Sequence, residues 1–302
     1  MTQPVVLKYL RSKKQFPHVW CPGCGHGVVM GSLIRAIEKM DYNKDDVAMV
    51  SGIGCSSRMT AYVDFNTLHT LHGRPIAYAT GLKMANPDLH VIVITGDGDA
   101  TAIGGNHFIH AARRNIDITV ILMNNNIYGM TGGQVSPTTP YGARGSTAPI
   151  GNPEHPFDIA DLAVAAGASF VARSTAYHVP AMDRLIQQAL ENKGFSLMEI
   201  FSQCPTYEGK WNKRGDAANM LKYYKEKAVP FASRSKMDGE EMDNKFFIGV
   251  MHNKPKPEFT AEYQKIVDRY QAQHQMKDLS KKETKNESKG KEQVEKEPAS
   301  KD

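Results

Sequence analysis

Residues 90–134 read HVIVITGDGDATAIGGNHFIHAARRNIDITVILMNNNIYGMTGGQ, and this stretch decides the fold expected for the whole chain. Residues 90–95 form a short β-branched apolar run and predict a buried strand. Residues 104–114 have helical spacing, and residues 118–123 predict a second buried strand. A strand, a helix and a strand of these lengths make a βαβ unit with parallel strands and a right-handed crossover. The pattern therefore predicts an α/β fold with a parallel sheet flanked by helices.

Polar residues follow both predicted strands. Asp97 leaves the carboxyl end of the first strand and Asn125 leaves that of the second, where open α/β sheets bind ligands. Gly96 and Gly98 flank Asp97 and let the backbone approach a phosphate closely. Asp97 and Asn125 offer the hard oxygen ligands that Mg²⁺ takes beside phosphates. The two motifs together predict a metal–diphosphate site, although a GDG sequence alone also occurs in plain turns.

The chain contains only four cysteines, which are Cys21, Cys24, Cys55 and Cys204. Disulfides are not expected in an intracellular chain of this size, and the CxxC pair indicates a tetrathiolate site instead. Cys55 and Cys204 each follow a predicted strand, so they should meet at the edge of the sheet that carries the GDG motif. Four thiolates can hold a [4Fe–4S] cluster or a tetrahedral Zn²⁺, and spacing alone does not separate the two.

Composition limits the remaining classes of function. The 302 residues suffice for one large α/β domain or two small ones, and 41% of them are hydrophobic. No apolar run approaches the roughly 20 residues of a transmembrane helix, and the first residues lack the pattern of a signal peptide. The net charge is +5, without the basic stripe interleaved with aromatic residues that is typical of nucleic-acid binding. We therefore expect a cytoplasmic protein that binds neither membrane nor nucleic acid.

A GDG motif followed at this distance by paired asparagines resembles the thiamine-diphosphate motif of thiamine-dependent enzymes. The longer strings GDGDATAIGGNHFIHAARRN and IYGMTGGQVSPTTP are similar to the β subunit of 2-oxoacid:ferredoxin oxidoreductases, most closely the 2-oxoglutarate branch. The likeness covers roughly residues 19–206. It implies a thiamine-diphosphate-binding (diphosphate-domain) fold for residues 20–206, with Asp97, Asn125 and the carbonyl of Ile127 as ligands of Mg²⁺.

The cysteine motifs carry the same resemblance. CPGCGHG, GIGCSSR and CPT match the cluster ligands of these β subunits, which implies that the four cysteines bind one [4Fe–4S] cluster. The other residues predicted to contact the cofactors are Gly54, Ser56, Gly96, Gly98, Asp99, Gly129, Met130 and Thr131.

Two basic residues are predicted to act on the substrate. The family has a basic residue where Arg58 stands, and a guanidinium there can pair with a substrate carboxylate. A salt bridge at the surface or to a partner is the alternative. His72, in the sequence HGR, is predicted to lie near the thiamine reaction centre, with a purely structural histidine as the alternative. Some relatives have lysine where this chain has Gly132.

The resemblance implies coenzyme A-dependent oxidative decarboxylation of 2-oxoglutarate to succinyl-CoA and CO₂ with reduction of ferredoxin, or the reverse reaction. The same chemistry on pyruvate or another 2-oxo acid is an alternative. A non-oxidative thiamine-dependent decarboxylase subunit, without a cluster, and a zinc-stabilised interaction module are further alternatives.

The resemblance also implies partners. No segment matches the aminopyrimidine-binding domain of thiamine enzymes, and the resemblance implies that this domain resides on a separate α subunit, in a dimer of αβ heterodimers. No ferredoxin-type cysteine run occurs, so electrons should leave to an external ferredoxin.

The remaining segments have weaker patterns. Residues 1–19 form an N-terminal leader, and the long Pro-, Thr- and Gly-rich loop 136–156 is expected to be functional. Residues 207–276 predict an extension that packs on the domain or on the α subunit. Residues 277–302 alternate Lys and Glu with almost no apolar residues, which predicts disorder.

Overall fold

The structure of the chain, a computed structural model, describes residues 4–12, 17–237, 239 and 245–294, with side chains as far as residue 277. The chain divides into two compact units, Met1–Phe259 and Thr260–Asp302. Among the described residues, no helix is long and apolar enough to cross a membrane.

An eight-stranded sheet, in the order β2-β1-β3-β4-β6-β5-β8-β7, forms the centre of the first unit. Strands β1 to β6 pair in parallel, whereas β8 pairs antiparallel with β5 and parallel with β7. The predicted parallel pairing of the two strands around the GDG motif is confirmed, as is the α/β class. The strands are β1 Val47–Ser51, β2 Asn66–His69, β3 His90–Gly96, β4 Thr119–Asn124, β5 Phe170–Thr175, β6 Ser196–Phe201, β7 Ala228–Pro230 and β8 Phe246–Asn253.

Helices connect the parallel strands. Where the structure is described, the α-helices are α1 Val5–Lys8, α2 His26–Lys39, α3 Pro75–Ala85, α4 Gly105–Arg114, α5 Ile159–Ala166, α6 Val179–Glu191, α7 Ala217–Lys227 and α8 Phe259–Val294. Two short π-helical turns, Asp99–Ile103 and Pro205–Gly209, follow the carboxyl ends of β3 and β6. Both turns lie at the edge where the sequence predicts the functional residues.

The apolar runs of the central strands are buried on both faces of the sheet. Ile92 and Ile94 of β3 belong to a cluster with α2 and α6, whereas Val91 and Val93 belong to a second cluster with α4 and α5. Because successive side chains of a strand point to opposite faces, a strand buried on both sides needs apolar residues at every position. This double burial explains why the run at residues 90–95 does not alternate with polar residues.

The edge strand β2 was missed by the sequence analysis. Three of its four residues are exposed, so its burial pattern contains no apolar run to detect. At the other side of the sheet, β7 and β8 come from the predicted extension 207–276 and join the same sheet as the preceding domain. Packing of this extension on an α subunit stays a prediction.

The structure describes part of the N-terminal leader and part of the C-terminal tail. In the leader, α1 is followed by a bridge between Leu10 and Val63. Helix α8 runs to Val294, so residues 277–294 are helical where composition predicts disorder, and residues 295–302 lie outside the described residues. The helix does not confirm the prediction of disorder.

We predict that Phe108→Ala destabilises the protein by about 3–5 kcal/mol, because the ring of Phe108 is fully buried and meets that of Phe195 edge-on at 5.7 Å. The neighbouring Ile109 is 39% exposed, so Ile109→Ala should cost less than about 1 kcal/mol. Urea unfolding of both variants measures the difference. Equal losses would contradict the assignment of Phe108 to the core between helix α4 and the sheet.

Candidate functional site

Two adjoining cavities open at the carboxyl edge of the sheet. The first has a volume of about 540 Å³ and contains Asp97, and the second has about 480 Å³ and contains all four cysteines. Residues lining both cavities form the partition between them, and these are His26, Cys55, Asn125, Gly129 and Met130.

Every residue that the sequence predicts for the site lines one of these cavities. The first is lined by Gly54, Cys55, Ser56, His72, Gly96, Asp97, Gly98, Asp99, Asn125, Ile127, Gly129, Met130 and Thr131. The second is lined by Cys21, Cys24, Cys55, Arg58 and Cys204 together with the partition. The structure thus brings together residues from across almost two hundred positions of the chain.

Asp97 is a buried carboxylate that loop 136–156 holds from one side. The hydroxyls of Ser136 and Thr138 donate to its Oδ2 atom at 2.6 and 2.7 Å. Burial raises the pKa of the Asp97 carboxyl, and these two hydrogen bonds together with backbone N–H groups, including that of Asn125, oppose the rise. A cation at this carboxylate would offset the cost of burying its charge.

The asparagines after β4 form a tight turn beside Asp97. Asn126 has a left-handed backbone, with φ of 58°, and its N–H donates to Oδ1 of Asn124 at 3.1 Å. The Oδ1 atom of Asn125 accepts from the N–H of Ile127 at 3.3 Å. These local bonds fix the side chain of Asn125 and the main chain of Ile127 near the carboxylate, as oxygen ligands of one ion require.

Gly98 has no side chain, so its backbone lines the first cavity directly. A Cβ atom at this position would lie 2.2 Å from the ring of Tyr128, so no other residue fits without moving that ring. The Tyr128 hydroxyl also donates to the carbonyl of Gly98 at 3.3 Å. Tyr128 was not among the predicted residues, and its role in shaping the cavity depends on a contact that the sequence does not reveal.

Asp99 joins several segments beneath the first cavity. Its Oδ1 accepts from Nδ1 of His72 at 2.7 Å and from the N–H groups of Gly73 at 2.7 Å and Ile53 at 3.2 Å. Its Oδ2 accepts from the hydroxyl of Thr95 at 2.7 Å. Asp99 therefore binds protein groups and orients the His72 ring, and its predicted contact with a cofactor stays a prediction.

The four thiols surround the second cavity. Cys21 is exposed and the other three are half-buried. Burial raises the pKa of Cys24 to about 12 and that of Cys55 to about 11, and neighbouring thiols add to both rises. Burial also raises the pKa of Cys204. A positively charged metal centre would reverse this trend, because thiolates bind metals in their charged form.

Gly129 separates the thiols from the first cavity by a single residue. A Cβ atom there would lie 3.5 Å from Sγ of Cys55, 3.6 Å from Sγ of Cys204 and 3.9 Å from Nδ2 of Asn125. Both thiols therefore face the bare backbone of the partition. A group held by the thiols and a group held by Asp97 would lie on opposite sides of one glycine.

Arg58 lies with the thiols and not with Asp97. It is exposed, and its Nη2 atom lies 3.9 Å from Sδ of Met130 in the partition. Pairing with a substrate carboxylate stays a prediction for this residue.

His26 lies in the CPGCGHG motif and is a site residue for which the sequence predicted no role. It lines both cavities, packs edge-on against Trp20 and lies 2.8 Å from the hydroxyl of Ser202 through Nδ1. Burial lowers its pKa to about 4, so the imidazole is neutral at neutral pH. Its position two residues after Cys24, inside the cysteine motif, was the available signal.

Among the side chains that the structure describes, no three histidine, cysteine, aspartate or glutamate residues close on a single metal ion. The first cavity brings Asp97 together with Asn125 and Ile127. The second, of about 480 Å³, is bordered by four thiols.

Known proteins share both the sequence and the architecture. Residues 52–200 match the family described as thiamine pyrophosphate enzyme, C-terminal TPP binding domain. The 2-oxoglutarate synthase subunit KorB of Methanocaldococcus jannaschii is 50% identical over 267 residues, covering 88% of this chain and 98% of that protein. The protein of the same description from Methanothermobacter thermautotrophicus is 52% identical over 262 residues, covering 87% and 91%.

A solved structure has the same fold over most of its length. It is 2-oxoglutarate:ferredoxin oxidoreductase from Magnetococcus marinus with 2-oxoglutarate, coenzyme A and succinyl-CoA bound. The TM-score is 0.78 at 35% sequence identity, covering 89% of this chain and 92% of that chain. The resemblance predicted from the motifs is thereby confirmed, and the chain belongs to the β subunits of the 2-oxoacid:ferredoxin oxidoreductases.

Proposed function

We propose that this chain is the β subunit of an enzyme that converts 2-oxoglutarate and coenzyme A to succinyl-CoA and CO₂ while reducing ferredoxin, or that catalyses the reverse. The partition at Gly129, with Asp97 on one side and the thiols on the other, is the observation that carries the proposal. The names of the relatives and the ligands of the solved structure support 2-oxoglutarate as the substrate. Pyruvate or another 2-oxo acid remains the alternative.

Thiamine diphosphate and Mg²⁺ fit the first cavity. Asp97, Asn125 and the carbonyl of Ile127 would hold the ion, and the bare backbone around Gly96 and Gly98 would receive the diphosphate. When bound, thiamine diphosphate supplies the electron sink for decarboxylation. The residues of this chain bind and orient the cofactor, and Tyr128 limits the space beside it.

One [4Fe–4S] cluster fits the second cavity better than a zinc ion. The four thiols border about 480 Å³, and no three of the described acidic, histidine or cysteine side chains converge on one ion. When bound, such a cluster accepts electrons one at a time. Cys21 is the exposed ligand of the proposed set, so the cluster would lie close to the surface from which ferredoxin takes electrons.

His72 and Arg58 are the proposed substrate-facing residues. Asp99 holds Nδ1 of His72, which leaves Nε2 as the ring nitrogen available for hydrogen bonding in the first cavity. Arg58 lies at the second cavity beside Met130, which also lines the first. From there its guanidinium would pair with the second carboxylate of 2-oxoglutarate.

An α subunit would complete the site by supplying the aminopyrimidine-binding domain. The segments that meet on Asp99 carry exposed apolar side chains beside the first cavity, and Ile53, Leu71 and Ile103 are 39%, 66% and 50% exposed. Apolar groups gathered in this way suit burial against another chain. We propose a dimer of αβ heterodimers, with an external ferredoxin as partner. Four free thiols fit the reducing cytoplasm.

Two variants should separate the cofactor sites. Cys204→Ala should lose most of its iron yet keep its affinity for thiamine diphosphate, because Cys204 lines only the thiol cavity. Asp97→Ala should keep its iron and bind Mg²⁺ and thiamine diphosphate at least about 10–100-fold more weakly, since even outer partners of a metal ligand have effects of that size. Anaerobic purification with iron and sulfide assays, and calorimetric titration with the cofactor, measure both. Zinc without iron in the wild-type protein would rule out the oxidoreductase.

The substrate preference is testable in the complex with the α subunit. Under anaerobic conditions with a reducible dye, 2-oxoglutarate should give a higher kcat/KM than pyruvate or indolepyruvate. Arg58→Gln should lower kcat/KM for 2-oxoglutarate by roughly tenfold or more, the effect of one hydrogen bond to a charged group. It should affect pyruvate much less, since pyruvate lacks the second carboxylate.

The control for Arg58→Gln is Arg74→Gln, because Arg74 is an arginine outside both cavities that contacts Ile103 and His107. Arg74→Gln should leave kcat/KM for both 2-oxoglutarate and pyruvate close to the wild-type values. A preference for pyruvate in the wild-type complex would overturn the substrate assignment and leave the cofactor sites standing.

A further inference from the structure

A buried ion pair lies in the sheet, two residues before the carboxyl ends of β5 and β6. Arg173 of β5 and Glu199 of β6 are opposite each other in the register, and Nε of Arg173 donates to Oε2 of Glu199 at 2.7 Å. Their exposed fractions are 4% and 1%. The remaining side of the guanidinium donates to Oδ1 of Asp158, the residue that caps helix α5, at 2.6 Å.

The second oxygen of Glu199 accepts a hydrogen bond from the next strand. Nδ2 of Asn124, at the end of β4, donates to Oε1 of Glu199 at 2.9 Å. An ionised carboxylate only accepts hydrogen bonds, whereas a carboxamide presents both a donor and an acceptor. Glu199 therefore favours one of the two orientations of the Asn124 carboxamide, with the NH₂ group toward the ion pair and Oδ1 toward the N–H of Asn126.

The oriented Oδ1 atom of Asn124 bonds the turn that carries one of the proposed Mg²⁺ ligands. It accepts from the N–H of Asn126 at 3.1 Å, which closes the turn that contains Asn125. It also lies 3.0 Å from Oγ1 of Thr138, but the single proton of that hydroxyl goes to Oδ2 of Asp97 at 2.7 Å, so the bond to the turn is the one that carries the effect. Reversing the carboxamide would place an NH₂ group against the N–H of Asn126, where two donors meet without an acceptor.

Stability alone does not account for this arrangement. Burying two charges costs desolvation energy that their attraction often only balances, and apolar residues of similar volume do as well or better. Neighbouring residues of β5 and β6 do pack in this way, with Phe170 and Met198 in the apolar cluster on one face of the sheet and Val171 and Leu197 in that on the other. The pair does, however, give Nδ2 of Asn124 a charged acceptor that apolar residues could not provide, and this reinforces the orientation that the N–H of Asn126 also requires.

We infer that Glu199, held in place by Arg173, is a positioning residue for the metal–diphosphate site. It acts through Asn124 on the turn that contains Asn125. This inference rests on the proposed function, because it concerns the ligands proposed for Mg²⁺. None of the bridging residues has to touch the cofactor.

The test uses Glu199→Gln in the complete complex with the α subunit. A glutamine side chain keeps the shape of glutamate and can offer either an oxygen or an NH₂ group to Asn124, so the selection of one orientation is lost. We expect Mg²⁺ to bind about 10–100-fold more weakly in calorimetric titrations at saturating thiamine diphosphate, the range found for outer partners of metal ligands. Iron content should stay at the wild-type level.

A kinetic split provides a second readout. Raising Mg²⁺ to saturation should restore kcat of Glu199→Gln, because the variant retains Asp97, Asn125 and Ile127. A defect in a later step of the reaction would not be repaired by Mg²⁺ in this way, and the control below separates a general loss of stability. A kcat that stays low in the Mg²⁺-saturated complex would overturn the inference.

The matched control is Asp117→Asn, which also converts a carboxylate of a largely buried ion pair to an amide. Asp117 pairs with Lys83 at 2.8 Å, and it lies before the start of β4, at the opposite edge of the sheet from the cavities. Its Mg²⁺ affinity should equal that of the wild type. An equal loss of affinity in both variants would mean a general loosening of the sheet, and would overturn the inference.

A second variant keeps the test valid if Glu199→Gln does not fold because Arg173 is left without its partner. The double variant Glu199→Gln/Arg173→Gln removes both charges of the pair, which folded proteins tolerate better than removing one. It should show the same weakened Mg²⁺ binding. Wild-type Mg²⁺ affinity in either folded variant would overturn the inference. If the wild-type complex itself bound no Mg²⁺, the proposed function would fail first.

Discussion

Parallel pairing of β1, β3, β4 and β6 is the constraint on which the site depends. In the register, Ser51 lies opposite Ile94, Gly96 opposite Met123 and Asn124 opposite Phe201, so the four strands end nearly level. Each strand is followed within a few residues by a group of the site. A slip of one residue would move the side chains of a strand to the opposite faces, and double burial in apolar clusters resists that slip.

Much of this arrangement could be predicted from the sequence because the signals are local. An apolar run bounded by GDG or by asparagines identifies both a strand and the polar group at its end. Asp97, Asn125 and the cysteines therefore emerged together with the strands that place them. The edge strand Asn66–His69 escaped detection because an exposed strand needs no apolar run.

Contacts between distant residues could not be predicted. Asn124 and Glu199 are 75 positions apart, and Arg173 is 26 positions from Glu199, so their bonds exist only once β4, β6 and β5 lie side by side. The contact of Tyr128 with Gly98 could not be predicted either, because 30 positions separate the two residues in the sequence. A glutamate and an arginine inside strands are visible in the sequence, but nothing local indicates which partner satisfies each charge.

Burial gives the two cavities a common electrostatic character. It raises the pKa of Asp97 in one cavity and those of Cys24, Cys55 and Cys204 in the other, so each cavity disfavours the anionic form of its own ligands. A cation bound to either set removes that penalty, and its binding free energy then adds to the stability of the folded chain.

The buried pair of Glu199 and Arg173 supports the ligands at the first cavity through Asn124. A ligand such as Asp97, whose charged form burial disfavours, needs supports that do not depend on the ion. Hydroxyls from loop 136–156 and the oriented carboxamide of Asn124 provide such supports for Asp97 and Asn125. Because Glu199 already has its countercharge in Arg173, it can fix Asn124 whether or not an ion is bound.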